Sequence, residues 1–196
     1  MALLVVSIVL FLGVHLIRAL APGFRLSMIT RLGRPAWIAI QSIASIVTLL
    51  LLIYAFSIAR YETTVLYSPP VWASHITLTL MLIACICLVA GLLPAGYILT
   101  KTKHPVILAI KIWALAHLLA NGDSAGVLLF ASFLAYGVIM RISLKRRARV
   151  GEIVPKPFVS AKYDAAAVIL GILLWGAIIW KLHEWLIGVS PLAMMQ

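Results

Sequence analysis

Five histidines, His15, His75, His104, His117 and His183, are the side chains of this 196-residue chain best suited to chemistry. His15 and His117 stand inside long apolar runs, as do Arg18 and Lys111. A charged, unpaired group at the centre of a membrane helix costs about 2.5–3.5 kcal/mol, so polar residues kept there face a cavity, a partner or a ligand. A neutral imidazole is less costly to bury, and it is a natural donor to buried iron or copper. The alternative for each histidine is a hydrogen bond to a neighbouring helix.

Spacing limits which histidines can act together. His104 and His117 lie on one helical run and differ by roughly 220° around its axis, so they cannot clasp one metal from a single face. A partner for His117 must come from another span. His15 and His75 are the candidates, and depth alone does not choose between them. Arg18, three residues after His15, shares its face and suits an anionic group such as a heme propionate. Its alternative is to snorkel to the head groups.

The elements that carry these residues are membrane helices. Hydrophobic residues make up 64% of the chain, charged residues 11%, and the mean hydropathy is +1.15. A soluble domain is about half apolar, which excludes that class here. About six runs reach the length needed to cross a bilayer: Ala2 to Pro22, Trp37 to Ala59, Val71 to Leu93, Pro105 to Ala120, Ser124 to Met140 and Ala165 to Trp180. They lack strand-like alternation, so the expected fold is a single all-α polytopic membrane bundle over residues 1–196. The N-terminal run has neither a basic leader nor a small-residue cleavage site and reads as a retained span.

The net charge of +11 comes mostly from loops after the first, third and fifth spans. Arg25, Arg31, Arg34, Lys101, Lys103, Arg141 and the run "RISLKRRAR" all fall there. The positive-inside rule puts that face in the cytoplasm and both termini outside, in a bacterial inner membrane. Membrane lipids are expected partners, and the basic run reads first as a topology signal and second as an anionic-lipid contact. No polar domain exists to carry nucleic acid. Cys85 and Cys87, two apart on a helix, point to nearly opposite sides and read as small core residues. No inverted repeat or paired broken helix supports a transporter.

The segment "KHPVILAIKIWALAHLLANGD" has punctuation at both ends. Pro105 suits the first turn of a helix, where its missing N–H costs nothing. Asn121-Gly122 is a helix stop, and Asp123 can cap the helix that follows. Lys111 is assigned no function, and His183 reads as an interfacial residue.

This segment, continued through "SAGVLLFASFLAYG" and preceded by "FLGVHLIRALAPGFR", resembles the NnrU family of bacterial membrane proteins. That family is named for an association with regulation of nitrite and nitric-oxide reductases, and it includes or lies close to the 15-cis-zeta-carotene isomerases. The resemblance implies heme b held in the membrane by histidines of two helices. Those histidines match His15 and His117, which favours His15 over His75. Arg18 or Arg25 would then stand near the propionates. His104 matches the histidine of the family's basic-His-Pro motif, here Lys103-His104-Pro105. The implied roles are redox sensing or electron transfer linked to nitrite or nitric-oxide reduction. Two alternatives stand beside it: heme-dependent isomerisation of a carotenoid-like polyene, and a heme-free assembly factor for a nitrite or nitric-oxide reductase. The isomerases resemble this block but carry a cysteine where Ala114 stands. Lys-His-Pro also resembles a motif of isoprenylcysteine-type methyltransferases and sterol reductases, but their later acidic and aromatic signature is missing after the fifth span.

Overall fold

The structure, a computed structural model, describes residues 1–192. Its helices are α1 (Ala2–Leu20), α2 (Pro22–Leu32), α3 (Arg34–Ala59), α4 (Val71–Leu92), α5 (Tyr97–Thr102), α6 (Pro105–Ala120), α7 (Ser124–Arg149), α8 (Lys162–Ala177) and α9 (His183–Ile187). A five-residue π-helical stretch, Ile178–Leu182, joins α8 to α9 in one continuous rod. Five of these rods are long and apolar enough to cross a membrane, and α6 is a shorter apolar helix. The protein is thus a polytopic helical membrane bundle.

Three boundaries differ from the sequence expectation. The first span ends at Leu20, and Pro22 begins a separate short helix. Pro22 lacks an N–H, so the ladder of α1 cannot run through it, and α2 restarts with proline in its first turn. The fifth span continues past Met140 to Arg149. Lysine, arginine, leucine and alanine favour helix, so the rod persists beyond the hydrocarbon and stops only near Gly151, at φ +77°. The sixth rod continues past Trp180 to Ile187 through the π stretch.

The helices are arranged as a chain of neighbours: α3 on α1, α1 on α7, α7 on α6, α6 on α4 and α4 on α8. Leu4, Ile8 and Leu12 of α1 pack with Leu52 of α3 and with Leu129 and Phe130 of α7 to form the main core. Between α4 and α8 contact is close: a Cβ on Gly171 would come within 2.8 Å of the Ile86 Cα. Trp175 Nε1 also donates to the Leu78 carbonyl at 3.0 Å across this seam. Within hydrocarbon, such polar contacts satisfy groups that water cannot reach.

The two ends of the bundle are built differently. At the basic end, the Asp164 carboxylate accepts from the backbone N–H groups of Tyr97 (2.7 Å) and Ile98 (2.8 Å), capping α5 from a distant part of the chain. At the opposite end, the segment between α3 and α4 folds down over the α6–α7 turn like a clasp. Thr63 Oγ1 donates to Asp123 Oδ1 at 2.9 Å, and Ser124 N–H donates to the Thr64 carbonyl at 2.8 Å. Leu66 and Tyr67 both donate their N–H to the Gly122 carbonyl, at 2.7 and 3.1 Å. The Tyr67 hydroxyl donates to the carbonyls of Leu118 and Asn121, two of the otherwise orphaned acceptors at the end of α6. The N-terminal amine and the end of α9 belong to this end: the amine lies 3.5 Å from Glu62, and Arg60 Nη1 donates to the Ile187 carbonyl at 2.7 Å.

Asp123 is the N-cap of α7, accepting from Gly126 N–H at 2.8 Å, as the sequence led us to expect. The clasp gives the Asn121-Gly122-Asp123 turn a second role. A Cβ on Gly122 would collide with the Tyr67 carbonyl, so only glycine lets the loop close. Gly122→Ala is expected to lower the melting temperature in detergent by several degrees. Tyr67→Phe, which removes one donor worth about 1 kcal/mol, should lower it by about 2–4 °C. A melting temperature unchanged in both would show that the clasp contributes nothing to stability.

Candidate functional site

His117 lies in the last turn of α6, under the clasp. Its Nδ1 stands 2.9 Å from the Trp113 carbonyl on the same helix. A carbonyl only accepts, so Nδ1 carries the proton and Nε2 is left with its lone pair. The ring is held by aromatic neighbours, Phe130 of α7 at a centroid distance of 4.6 Å and Trp113 at 5.2 Å. No hydrogen-bond partner for Nε2 is found among the described residues, and no buried, unsatisfied side-chain nitrogen or oxygen is found among them either. The Nε2 lone pair is therefore reachable.

The ring that faces His117 belongs to His183. The two centroids are 6.4 Å apart and the planes differ by 23°. His183 carries the same tautomer for the same reason: its Nδ1 lies 2.7 Å from the Val189 carbonyl. The two imidazoles thus stack, each with its Nδ1 placed on a backbone carbonyl. His183 is the neighbour of His117 that sequence reasoning missed. It immediately follows the π stretch, where the wider turn shifts helical register. The available signal was topological: the fourth and sixth spans end on the same side, so His117 and His183 had to share a level.

His15 occupies different surroundings. Its Nδ1 donates to the Phe11 carbonyl at 2.7 Å, and its Nε2 accepts from the Ser45 hydroxyl of α3 at 3.2 Å. Both nitrogens are engaged, and the ring ties α1 to α3 beside a second tie, Gln41 Nε2 to the Val14 carbonyl at 2.6 Å. His15 meets Tyr136 of α7 edge-on at 6.4 Å, whereas His117 meets Phe130 of the same helix. Those two positions are separated by about 9 Å of helical rise. Helix α7 also packs against both α1 and α6, with Phe133 touching Phe11 on one side and Trp113 on the other. One iron atom within about 2 Å of both His15 and His117 does not fit this arrangement.

The remaining candidates are also distributed between the ends. Arg18 and Arg25 line a cavity of about 270 Å³ with His15, Trp37 and Gln41, toward the basic end and away from His117. Lys103 and His104 sit at the start of α6, with Lys103 at φ 64° ending α5 and Pro105 opening α6. The Lys111 stem lies against Gly137 of α7. His75 is exposed in the first turns of α4. Cys85 and Cys87 are buried, unpaired thiols. No cluster of three or more His, Cys, Asp or Glu side chains is arranged for a metal among the described residues.

The class defined by these features is a small multi-pass helical membrane protein with paired imidazoles at one end and arginine-lined cavities at the other. The family model described as NnrU protein matches residues 3–191, and the chain belongs to the NnrU family. Comparison with curated proteins and with solved structures gave no match.

Electrostatics separate His104 from the paired rings. Burial, followed by the charges of Arg141, Lys103 and Arg147, holds the His104 imidazole below its ordinary value of 6.5. Its proton is therefore taken up more readily by the unfolded chain, so stability in this corner is full above about pH 6.5 and falls on acidification through the lower folded value. An NMR titration should find the His104 midpoint below 6.5. Arg141→Gln should move its midpoint back toward 6.5. A wild-type midpoint at or above 6.5 would contradict this assignment.

Proposed function

We propose that this NnrU-family protein is a membrane redox component in which His117 and His183 would hold heme b. The observation that carries the reading is the matched pair of rings. The two rings stack with their centroids 6.4 Å apart, so both imidazoles belong to the surroundings of one bound group. Each ring also donates its Nδ1–H to a backbone carbonyl, the outer hydrogen bond that fixes a metal-binding tautomer and raises the basicity of the ligand nitrogen. Heme b, when bound, supplies one-electron redox chemistry there.

The chain's own residues then have separable tasks. Trp113 and Val189 hold the imidazole protons through their carbonyls. Phe130 and Trp113 fix the plane of His117 and exclude water from it. Arg60, which donates to the Ile187 carbonyl, and Lys181, paired with Glu184 at 3.1 Å, are side-chain cations placed at this end. Arg18 and Arg25 stand at the other end and are not available to propionates beside His117. In the orientation we assign, the arginine-rich face is cytoplasmic in the inner membrane and the imidazole pair lies toward the outside. The family's association then makes redox sensing or electron transfer beside a nitrite or nitric-oxide reductase the role we favour. Isomerisation of a polyene draws no support from position 114: Ala114 is wholly buried and offers no thiol beside His117.

Absorption spectra of protein purified from heme-replete cells test this directly. The wild type should show a Soret band with low-spin b-type features. His117→Ala should abolish it, His183→Ala should convert it to a high-spin or strongly weakened form, and His15→Ala should leave it unchanged. Colourless wild-type protein would overturn the reading in favour of a heme-free assembly factor. Loss of the low-spin spectrum in His15→Ala with retention in His183→Ala would overturn the ligand assignment.

A further inference from the structure

A cavity of about 400 Å³ lies at the basic end between α1, α2 and α7. Four arginines from three helices converge on it: Arg18 from α1, Arg25 from α2, and Arg146 and Arg147 from α7. Arg147 Nε pairs with Glu152 at 2.9 Å. Arg18 is within electrostatic reach of Arg25, Arg147 and Glu152. One carboxylate therefore answers four guanidinium groups. No hydrogen bond or ion pair to the guanidinium groups of Arg18, Arg25 or Arg146 is found among the described residues.

A topology signal needs only that positive charges lie on one face; it does not require them to meet at one cavity. Like charges held together at a membrane surface repel one another unless an anion sits between them. Guanidinium groups match phosphate oxygens in pairs, which makes arginine the preferred residue for phosphate recognition. Apart from Ser143 and Glu152, the rest of the cavity wall is apolar, with Leu20, Leu26, Ile139 and Ile142 its larger side chains. Leu20 and Leu26 are also largely exposed on the outer surface of the bundle, as is Phe24 of α2. A charged head and an apolar wall continuous with the lipid-facing surface describe an amphiphile.

We propose that this cavity is a binding site for the phosphate head group of an anionic phospholipid, with its acyl chains running along the apolar wall between α1 and α7. Arg18, Arg25 and Arg146 contact the phosphate, and Glu152 holds Arg147 at the rim. The site is independent of the imidazole pair, and either proposal can fail without the other.

The full-length protein in zwitterionic detergent, stripped of lipid, provides the test. Its melting temperature is followed during titration with phosphatidylglycerol, with phosphatidylcholine, and with sodium phosphate at matched phosphate concentration. Phosphatidylglycerol should stabilise the protein, and the half-maximal concentration should rise at least tenfold in Arg25→Gln/Arg146→Gln. Arg31→Gln/Arg149→Gln removes the same charge from the same face outside the cavity and should respond as the wild type does. Arg146→Gln alone, at an exposed position, guards against misfolding of the double variant and should weaken the response on its own. Equal stabilisation by phosphatidylcholine, or equal weakening in both double variants, would overturn the site. Equal stabilisation by sodium phosphate would overturn the lipid as its source.

Discussion

An imidazole in hydrocarbon must be neutral, and a neutral imidazole has one N–H to place and one lone pair to use. The organisation of this protein follows how three histidines meet that constraint. His15, His117 and His183 all give Nδ1–H to a backbone carbonyl. For His15 the lone pair accepts a serine hydroxyl, and the residue becomes a joint between α1 and α3. For His117 and His183 no hydrogen-bond partner of Nε2 is found among the described residues. The same residue type thus joins two helices where a hydroxyl lies within reach and stands without such a joint where none does.

The clasp and the inner cap keep that arrangement in register. Helix α6 is short for a span, and its last carbonyls would face lipid or water without a partner. Tyr67 covers two of them, and burial together with the Asp123 carboxylate pushes its phenol above the ordinary value of 10, so it stays a donor. The loop that brings Tyr67 also ties Thr63 and Thr64 to the start of α7. The depth of His117, three residues from the end of α6, is therefore set by contacts outside the hydrocarbon. Asp164 does the corresponding work at the basic end for α5.

Much of this was legible in the sequence, because the signals were local. Apolar run length gives the spans, Pro105 opens α6, and Asp123 caps α7. Pairing between distant residues was not legible. Nothing in "FLGVHLIR" says that Ser45, thirty residues on, will take the lone pair of His15. The π stretch at Ile178–Leu182 has no compositional mark, so the reach of His183 toward His117 was hidden, and His183 was passed over as interfacial. Arg25, Arg146 and Arg147 were read as a topology signal and Arg18 or Arg25 as neighbours of heme propionates, and only the fold brings all four to one cavity.

The central claim is that His117 and His183, not His117 and His15, form the donor pair. Pulsed electron paramagnetic resonance of the oxidised protein, with histidine labelled in its ring nitrogens, counts the imidazoles bound to iron. The account predicts two coordinated nitrogens in wild type and in His15→Ala, and one in His183→Ala. Two in His183→Ala with one in His15→Ala, or no iron signal at all, would contradict it.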